Sequence, residues 1–159
     1  DEELRRFQVE AQSSARLQHP NIVAVHEIGE IEGQHYFAMD YVTGETLADR
    51  LKSGALEFET AATLLIPLAR AVQYLHDHQV MHRDLKPSNI LIDQNENPLV
   101  TDFGLARIFD HGESQQTQTG VIIGTPSYMS PEQAAGRVKM ITHRSDIYSL
   151  GAILYEMLT

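Results

Sequence analysis

The sequence predicts an α+β chain, and three stretches carry that expectation. Residues 22–28 and 35–42 are β-rich runs separated by a polar connection with Gly29 and Gly33, the pattern of a hairpin. Across residues 57–78, Ala61, Leu64, Leu65, Leu68, Val72 and Leu75 recur on one helical face. Between Val80 and Gly104 the chain returns to short β-like pieces, 89–92 and 98–101, joined by the turn-prone Asp93-Gln94-Asn95-Glu96-Asn97.

Taken in order, Leu4, Phe7, Ala11 and Ala15 stand at three- and four-residue steps and predict an amphipathic helix over residues 1–18. His19-Pro20-Asn21 ends it, because the residue before a proline avoids the helical region. After the two strands, Thr43-Gly44 breaks the pattern, and Leu47 with Leu51 predicts a short helix before Gly54. Pro67 stands inside the long helix, where a kink is expected. Residues 105–130 form a long polar loop, a kind of segment that is usually functional or mobile. Residues 131–135 open on proline and read as a short helix, and residues 146–159 as a buried one.

Composition narrows the function. The 159 residues hold 12 Lys plus Arg against 22 Asp plus Glu, for a formal charge of −10. The basic residues are scattered and only Lys52, Lys86 and Lys139 are lysines, so no basic face for nucleic acid is expected. Arg70 interrupts the most apolar region, and no run approaches a membrane span, so no membrane contact is expected of this segment. The absence of cysteine excludes disulfides and thiol chemistry here and fits a reducing compartment. With Asp1 at the start and an apolar helical pattern running into Thr159, both ends read as cut.

The chemistry concentrates in His82-Arg83-Asp84-Leu85-Lys86-Pro87-Ser88-Asn89 and in Asp102-Phe103-Gly104. One tight loop carries a carboxylate, an ammonium and an amide, and a hairpin would fold a second carboxylate back onto it. Such a set can hold a divalent cation with hard oxygens and leave one acid free. Phosphoryl transfer asks for that kind of positioning and charge neutralisation. His76-Asp77-His78 with His82 invites a transition-metal reading, which is set aside because His76 and His78 would point to different sides of a helix end.

These motifs closely resemble the eukaryotic-type Ser/Thr protein kinases, in their bacterial form. The resemblance implies ATP and Mg2+ as cofactors and Ser/Thr hydroxyls of proteins as acceptors, with self-phosphorylation in trans. It implies that Asp84 orients the acceptor hydroxyl and takes its proton, Lys86 neutralises the γ-phosphate, and Asn89 and Asp102 bind the metal. His82 would pack behind Asp102-Phe103-Gly104. Glu10 matches the helix-C glutamate, Met39 the gatekeeper, Asp40 and Val42 the hinge positions whose backbone pairs adenine, and Leu91 the residue beneath the base. Thr125, in the stretch from Gly124 to Glu132, would approach Asp84 and Lys86, and Asp146 would anchor the catalytic loop. Arg6, Arg83 and Arg107 match positions that converge on an activation-loop phosphate, here on Thr117 or Thr119.

The resemblance also exposes gaps. G-x-G-x-x-G occurs nowhere, and no Val-Ala-Ile-Lys-like strand precedes Glu10, which therefore lacks its lysine. The arginine that pairs with the glutamate matching Glu132 would lie beyond Thr159, so Glu132 is expected to be buried without its partner. The expectation is thus a truncated kinase-like fold: residues 1–39 from the N-lobe, 40–44 as hinge, and 45–159 from the C-lobe up to helix F. A cytoplasmic location is implied for this domain. The implied function is a Ser/Thr kinase whose fragment is weak or inactive alone; the alternative is a non-catalytic kinase-like binding or scaffold module. Residues 124–132 argue against a small-molecule kinase.

Overall fold

A computed structural model describes residues 17–31, 34–103 and 126–159. The helix expected over residues 1–18 and most of the loop expected over 105–130 fall outside these residues, and with them Arg6, Glu10, Gly104, Arg107, Thr117, Thr119 and Thr125.

Two strands, β1 (Val25–Ile31) and β2 (Gln34–Met39), form the expected hairpin, shifted toward later residues on the first strand. Val25 pairs with Met39 but Glu27 with Ala38, so His26 is an extra residue, a β-bulge. A three-stranded antiparallel sheet follows, in the order β3 (Gly44–Thr46), β4 (Ile90–Asp93), β5 (Pro98–Val100). The hairpin is tied to this sheet ahead of β1: Val23 N donates to Val100 O at 2.9 Å, and Val100 N donates to Asn21 O at 2.9 Å.

The second run breaks as expected, though already after Met39, and a strand that the sequence did not predict, β3, begins at Gly44. Gly44 pairs with Asp93, and a Cβ built on it would lie 1.9 Å from the carbonyl oxygen of Ile92. Glycine is present here because two backbones approach too closely for any side chain. The turn between β4 and β5 is built by Asp93, whose Oδ1 accepts from the N–H groups of Asn95 and Asn97, each at 2.8 Å.

The short helix α1 (Leu47–Leu51) is capped by Thr46, whose Oγ1 accepts from Asp49 N at 3.0 Å. Helix α2 (Phe58–Asp77) matches the apolar periodicity and runs through Pro67 as one element. It buries Leu64, Leu68, Val72 and Leu75 against Ile90, Ile92, Val100 and Phe103. Each leucine so buried contributes about 1.5–3 kcal/mol. Past the short helix α3 (Pro131–Ala134), α4 (His143–Leu158) starts three residues earlier than the periodicity suggested, with Thr142 as its cap. The expectation of a buried helix holds for one face only: Asp146, Ser149, Ile153 and Met157 are buried, whereas Ile147, Tyr148 and Tyr155 are exposed. Buried positions recur at helical spacing, and the intervening apolar residues face outward. Among the described residues no helix is long and apolar enough to cross a membrane.

Candidate active site

The turn between α2 and β4 holds the charged motif. Asp84 Oδ2 lies 2.7 Å from Lys86 Nζ, and Asn89 Nδ2 donates to the Asp84 carbonyl at 2.8 Å and to its Oδ2 at 3.3 Å. The three polar groups that the sequence places together therefore meet. Pro87–Asn89 forms a single 3₁₀ turn, closed by Asn89 N donating to Lys86 O at 2.9 Å, which brings residues 84 and 89 side by side. Both hydrogens of the Asn89 amide nitrogen face Asp84, so its Oδ1 is left as the outward end.

Thr101 N donates to Asn89 O at 3.0 Å, so the residue after Thr101, Asp102, comes beside the loop. Asp102 is exposed and has φ +60°, the left-handed region. Phe103 beside it is buried in the core. The pair of hard oxygens, Asn89 Oδ1 and the Asp102 carboxylate, fits a divalent cation that also takes phosphate oxygens and water.

The backbone of the loop is held from the other side by α4. Asp146, 1% exposed, accepts from His82 N at 2.9 Å through Oδ2 and from Arg83 N at 2.8 Å through Oδ1. Arg83 has φ +69°, an arrangement that costs a non-glycine residue about 1 kcal/mol, and the two charge-assisted bonds offset it. The Arg83 carbonyl in turn accepts from Gln133 Nε2 at 2.6 Å, so α3 grips the next peptide of the same residue. His82 is fully buried, and its Nε2 lies 3.0 Å from Thr101 O, two residues before Phe103. Its Nδ1 is buried and has no partner among the described residues. Desolvation lowers the pKa of His82, which fits a neutral ring donating through Nε2.

Two partners, His76 and Ser145, were not apparent from residue order. His76 sits on α2, and its Nε2 meets Asp146 Oδ2 at 2.7 Å while its ring stacks on His143 at 4.4 Å. His78 turns elsewhere, its Nδ1 2.8 Å from Tyr74 O. Glu132, expected to be buried and unpartnered, is instead half-buried and accepts from Ser145 Oγ at 2.6 Å, which holds its carboxyl below the usual range. The structure corrects that expectation because a hydroxyl one turn into α4 reaches the carboxylate. A helix-breaking pattern or metal-ligand spacing carries no signal for such pairs, whose members lie 13 to 70 residues apart.

The adenine-side candidates fall at the junction between the hairpin and the second sheet. Met39 ends β2, and its Sδ lies 3.7 Å from Thr101 Oγ1. Asp40 N donates to Ala24 O at 2.9 Å, and the Asp40 side chain pairs with His26 at 2.6 Å. Val42 lies in the connection to β3, and Leu91, half-buried, alternates with the buried Ile90 and Ile92 and so faces away from the main core.

The family model for the protein kinase domain matches residues 1–159. The chain is 42% identical over 160 residues to the serine/threonine-protein kinase PrkC of Bacillus subtilis, covering 100% of this chain and 24% of that protein. It is 43% identical over 159 residues to the serine/threonine-protein kinase PknB of Mycolicibacterium smegmatis, covering 97% and 25%, and 42% identical to PknB of Mycobacterium tuberculosis, with the same coverage. The chain spans about a quarter of the length of the curated relatives it matches.

Proposed function

Because the chain belongs to the protein kinase family, we propose that it carries the phosphoryl-transfer centre of a Ser/Thr protein kinase that uses Mg-ATP. The carrying observation is the joined set of Asp84, Lys86 and Asn89, with Asp102 brought beside it by the bond from Thr101 to Asn89. Asp84, held by Lys86 and Asn89, orients a Ser or Thr hydroxyl and accepts its proton at the carboxylate as the oxygen attacks the γ-phosphorus of ATP and the bond to the leaving ADP breaks. Lys86 shares its ammonium between that carboxylate and the transferring phosphoryl group. Asn89 Oδ1 and the Asp102 carboxylate would hold the metal, which supplies charge neutralisation at the phosphates when bound. The Asp40 carbonyl and the Val42 backbone meet the adenine edge, with Met39 and Leu91 against the ring.

Substrates in this reading are proteins bearing Ser or Thr, and Thr125 approaches Asp84 and Lys86 to admit them. The domain works in the cytoplasm, where ATP is supplied. Thr117 or Thr119 receives phosphate from a second copy, and Arg6, Arg83 and Arg107 collect it. Arg83 suits that task because the peptides on both sides of it are fixed, one by Asp146 and the other by Gln133. The 159 residues include neither G-x-G-x-x-G nor a lysine ahead of Glu10, so this segment alone transfers phosphate poorly.

The test is Asp84→Asn in the full-length gene product. Mg-ATP-dependent phosphorylation of a Ser/Thr-containing protein should fall by about 10²–10⁴-fold while Mg-ATP binding persists. A variant within threefold of wild type would refute the assignment, and brisk turnover by the isolated 159 residues would refute the claim that the segment is insufficient.

A further inference from the structure

The bulge in β1 has a specific consequence. His26 is the extra residue between the pairs Val25 with Met39 and Glu27 with Ala38. A bulge re-aims the side chain it carries, and here Nε2 of His26 lies 2.6 Å from Oδ1 of Asp40. Asp40 is the first residue after β2, and its N–H is already committed to Ala24 O at 2.9 Å. One residue is thus gripped twice, by backbone and by side chain, from the strand segment just before and at the bulge. Its carbonyl is the backbone group left for a ligand.

We infer that His26 is a positioning residue for the nucleotide: through the Asp40 side chain it holds the residue whose carbonyl reads the base, and so sets affinity for Mg-ATP without touching it. The inference rests on the proposed kinase function, because only a base at the Asp40 carbonyl makes its orientation matter. The pair is well over half exposed on both sides, so its strength is that of a surface pair and the effect is modest. Its value lies in restricting the first hinge peptide to one rotation. A neutral imidazole with Nε2–H donating suffices for the bond, so an amide in its place can take over the role.

The experiment uses the full-length protein with His26→Ala, His26→Gln and Asp40→Asn. Without nucleotide, amide exchange over residues 39–43 should quicken by about two- to fivefold in His26→Ala. In the same variant the Kd of Mg-ATP, measured by equilibrium titration, and its KM should rise by about two- to fivefold with kcat unchanged. His26→Gln, which keeps an N–H donor, should recover most of both effects, and Asp40→Asn combined with His26→Ala should be no worse than His26→Ala alone. Unchanged exchange and Kd in His26→Ala, failure of glutamine to rescue, or a fall confined to kcat would overturn the inference. A wild-type protein that transfers no phosphate from Mg-ATP would overturn the kinase reading and this inference with it; an active wild type with unaltered exchange in His26→Ala would overturn this inference alone.

Discussion

Asp146→Asn tests whether the loop of residues 82–89 owes its backbone conformation to α4. The aspartate has two oxygens, and both are in use: Oδ2 serves His82 N and His76 Nε2, and Oδ1 serves Arg83 N. Asparagine offers one oxygen and one NH2 group in nearly the same volume. With its oxygen toward His82, its NH2 group faces the Arg83 N–H; turned over, it faces the His82 N–H. In either orientation one buried backbone donor loses its acceptor, at about 1–3 kcal/mol. The surviving bonds lose their charge assistance, which removes about 1 kcal/mol more from each. The total is about 3–4 kcal/mol, or a local opening constant about 10²–10³-fold larger.

Amide exchange reads this directly, since the affected donors are themselves exchangeable. In the full-length protein, protection of the His82 and Arg83 amides should fall by about 10²–10³-fold in Asp146→Asn, with amides in the first turns of α2 changed far less. A fall of less than tenfold at both amides would refute the reasoning, because it would mean that the loop keeps its shape without the carboxylate.

Acid should also loosen this region through His82. His82 has its pKa depressed by burial from the ordinary 6.5, so the unfolded chain binds a proton that the folded chain refuses. Stability contributed by the neutral ring is therefore full above 6.5 and is lost as pH falls beneath it, down to the folded-state pKa. The denaturation midpoint should drop as pH falls below 6.5, and His82→Gln should flatten that slope; an unflattened slope would exclude this histidine as the cause. Gly44→Ala should lower stability by about 2 kcal/mol or more, because its Cβ would meet the Ile92 carbonyl at 1.9 Å and neither backbone can yield cheaply. Gly136→Ala, with positive φ but open space, supplies the control and should cost about 1 kcal/mol; equal losses in the two variants would argue against a steric origin for Gly44.

Periodicity made α2 legible almost to the residue, because Leu64, Leu68, Val72 and Leu75 face one core and the local pattern agrees with the tertiary one. Turn chemistry did the same for β4 and β5, where Asp93 and the asparagines after it act within a few residues of themselves. Strand β3 was hidden because glycine weakens a strand in isolation, and the reason for Gly44 lies on a chain segment about fifty residues away. For the site, the motif residues of the loop were evident from their order, and the contacts of Asp84, Lys86 and Asn89 span at most five positions. The partners that support them were not, because His76, Gln133 and Ser145 are ordinary helix residues until the fold brings them within reach.

The distribution of those supports explains how a short loop can hold three charged or polar groups in one arrangement. Among the described residues, the side chains of Asp84, Lys86 and Asn89 bond only to one another and to the loop, and such partly exposed pairs hold position weakly. The backbone beneath them is fixed by elements that do not share a side chain with the cluster: Asp146 from α4 at the peptides of residues 82 and 83, Gln133 from α3 at the Arg83 carbonyl, and Thr101 after β5 at the Asn89 carbonyl. The His82 ring closes the set by reaching Thr101 O, so the loop is joined at His82 and at Asn89 to Thr101, the residue before Asp102. Two residues in left-handed backbone, Arg83 and Asp102, flank this joined region, and neither is glycine. Strain of that kind persists only where surrounding bonds over-determine the conformation. In the proposed kinase reading, the rigidity that directed proton and phosphoryl transfer would need therefore resides in these backbone bonds, which leaves the side chains of Asp84, Lys86 and Asn89 free to exchange one another for substrate.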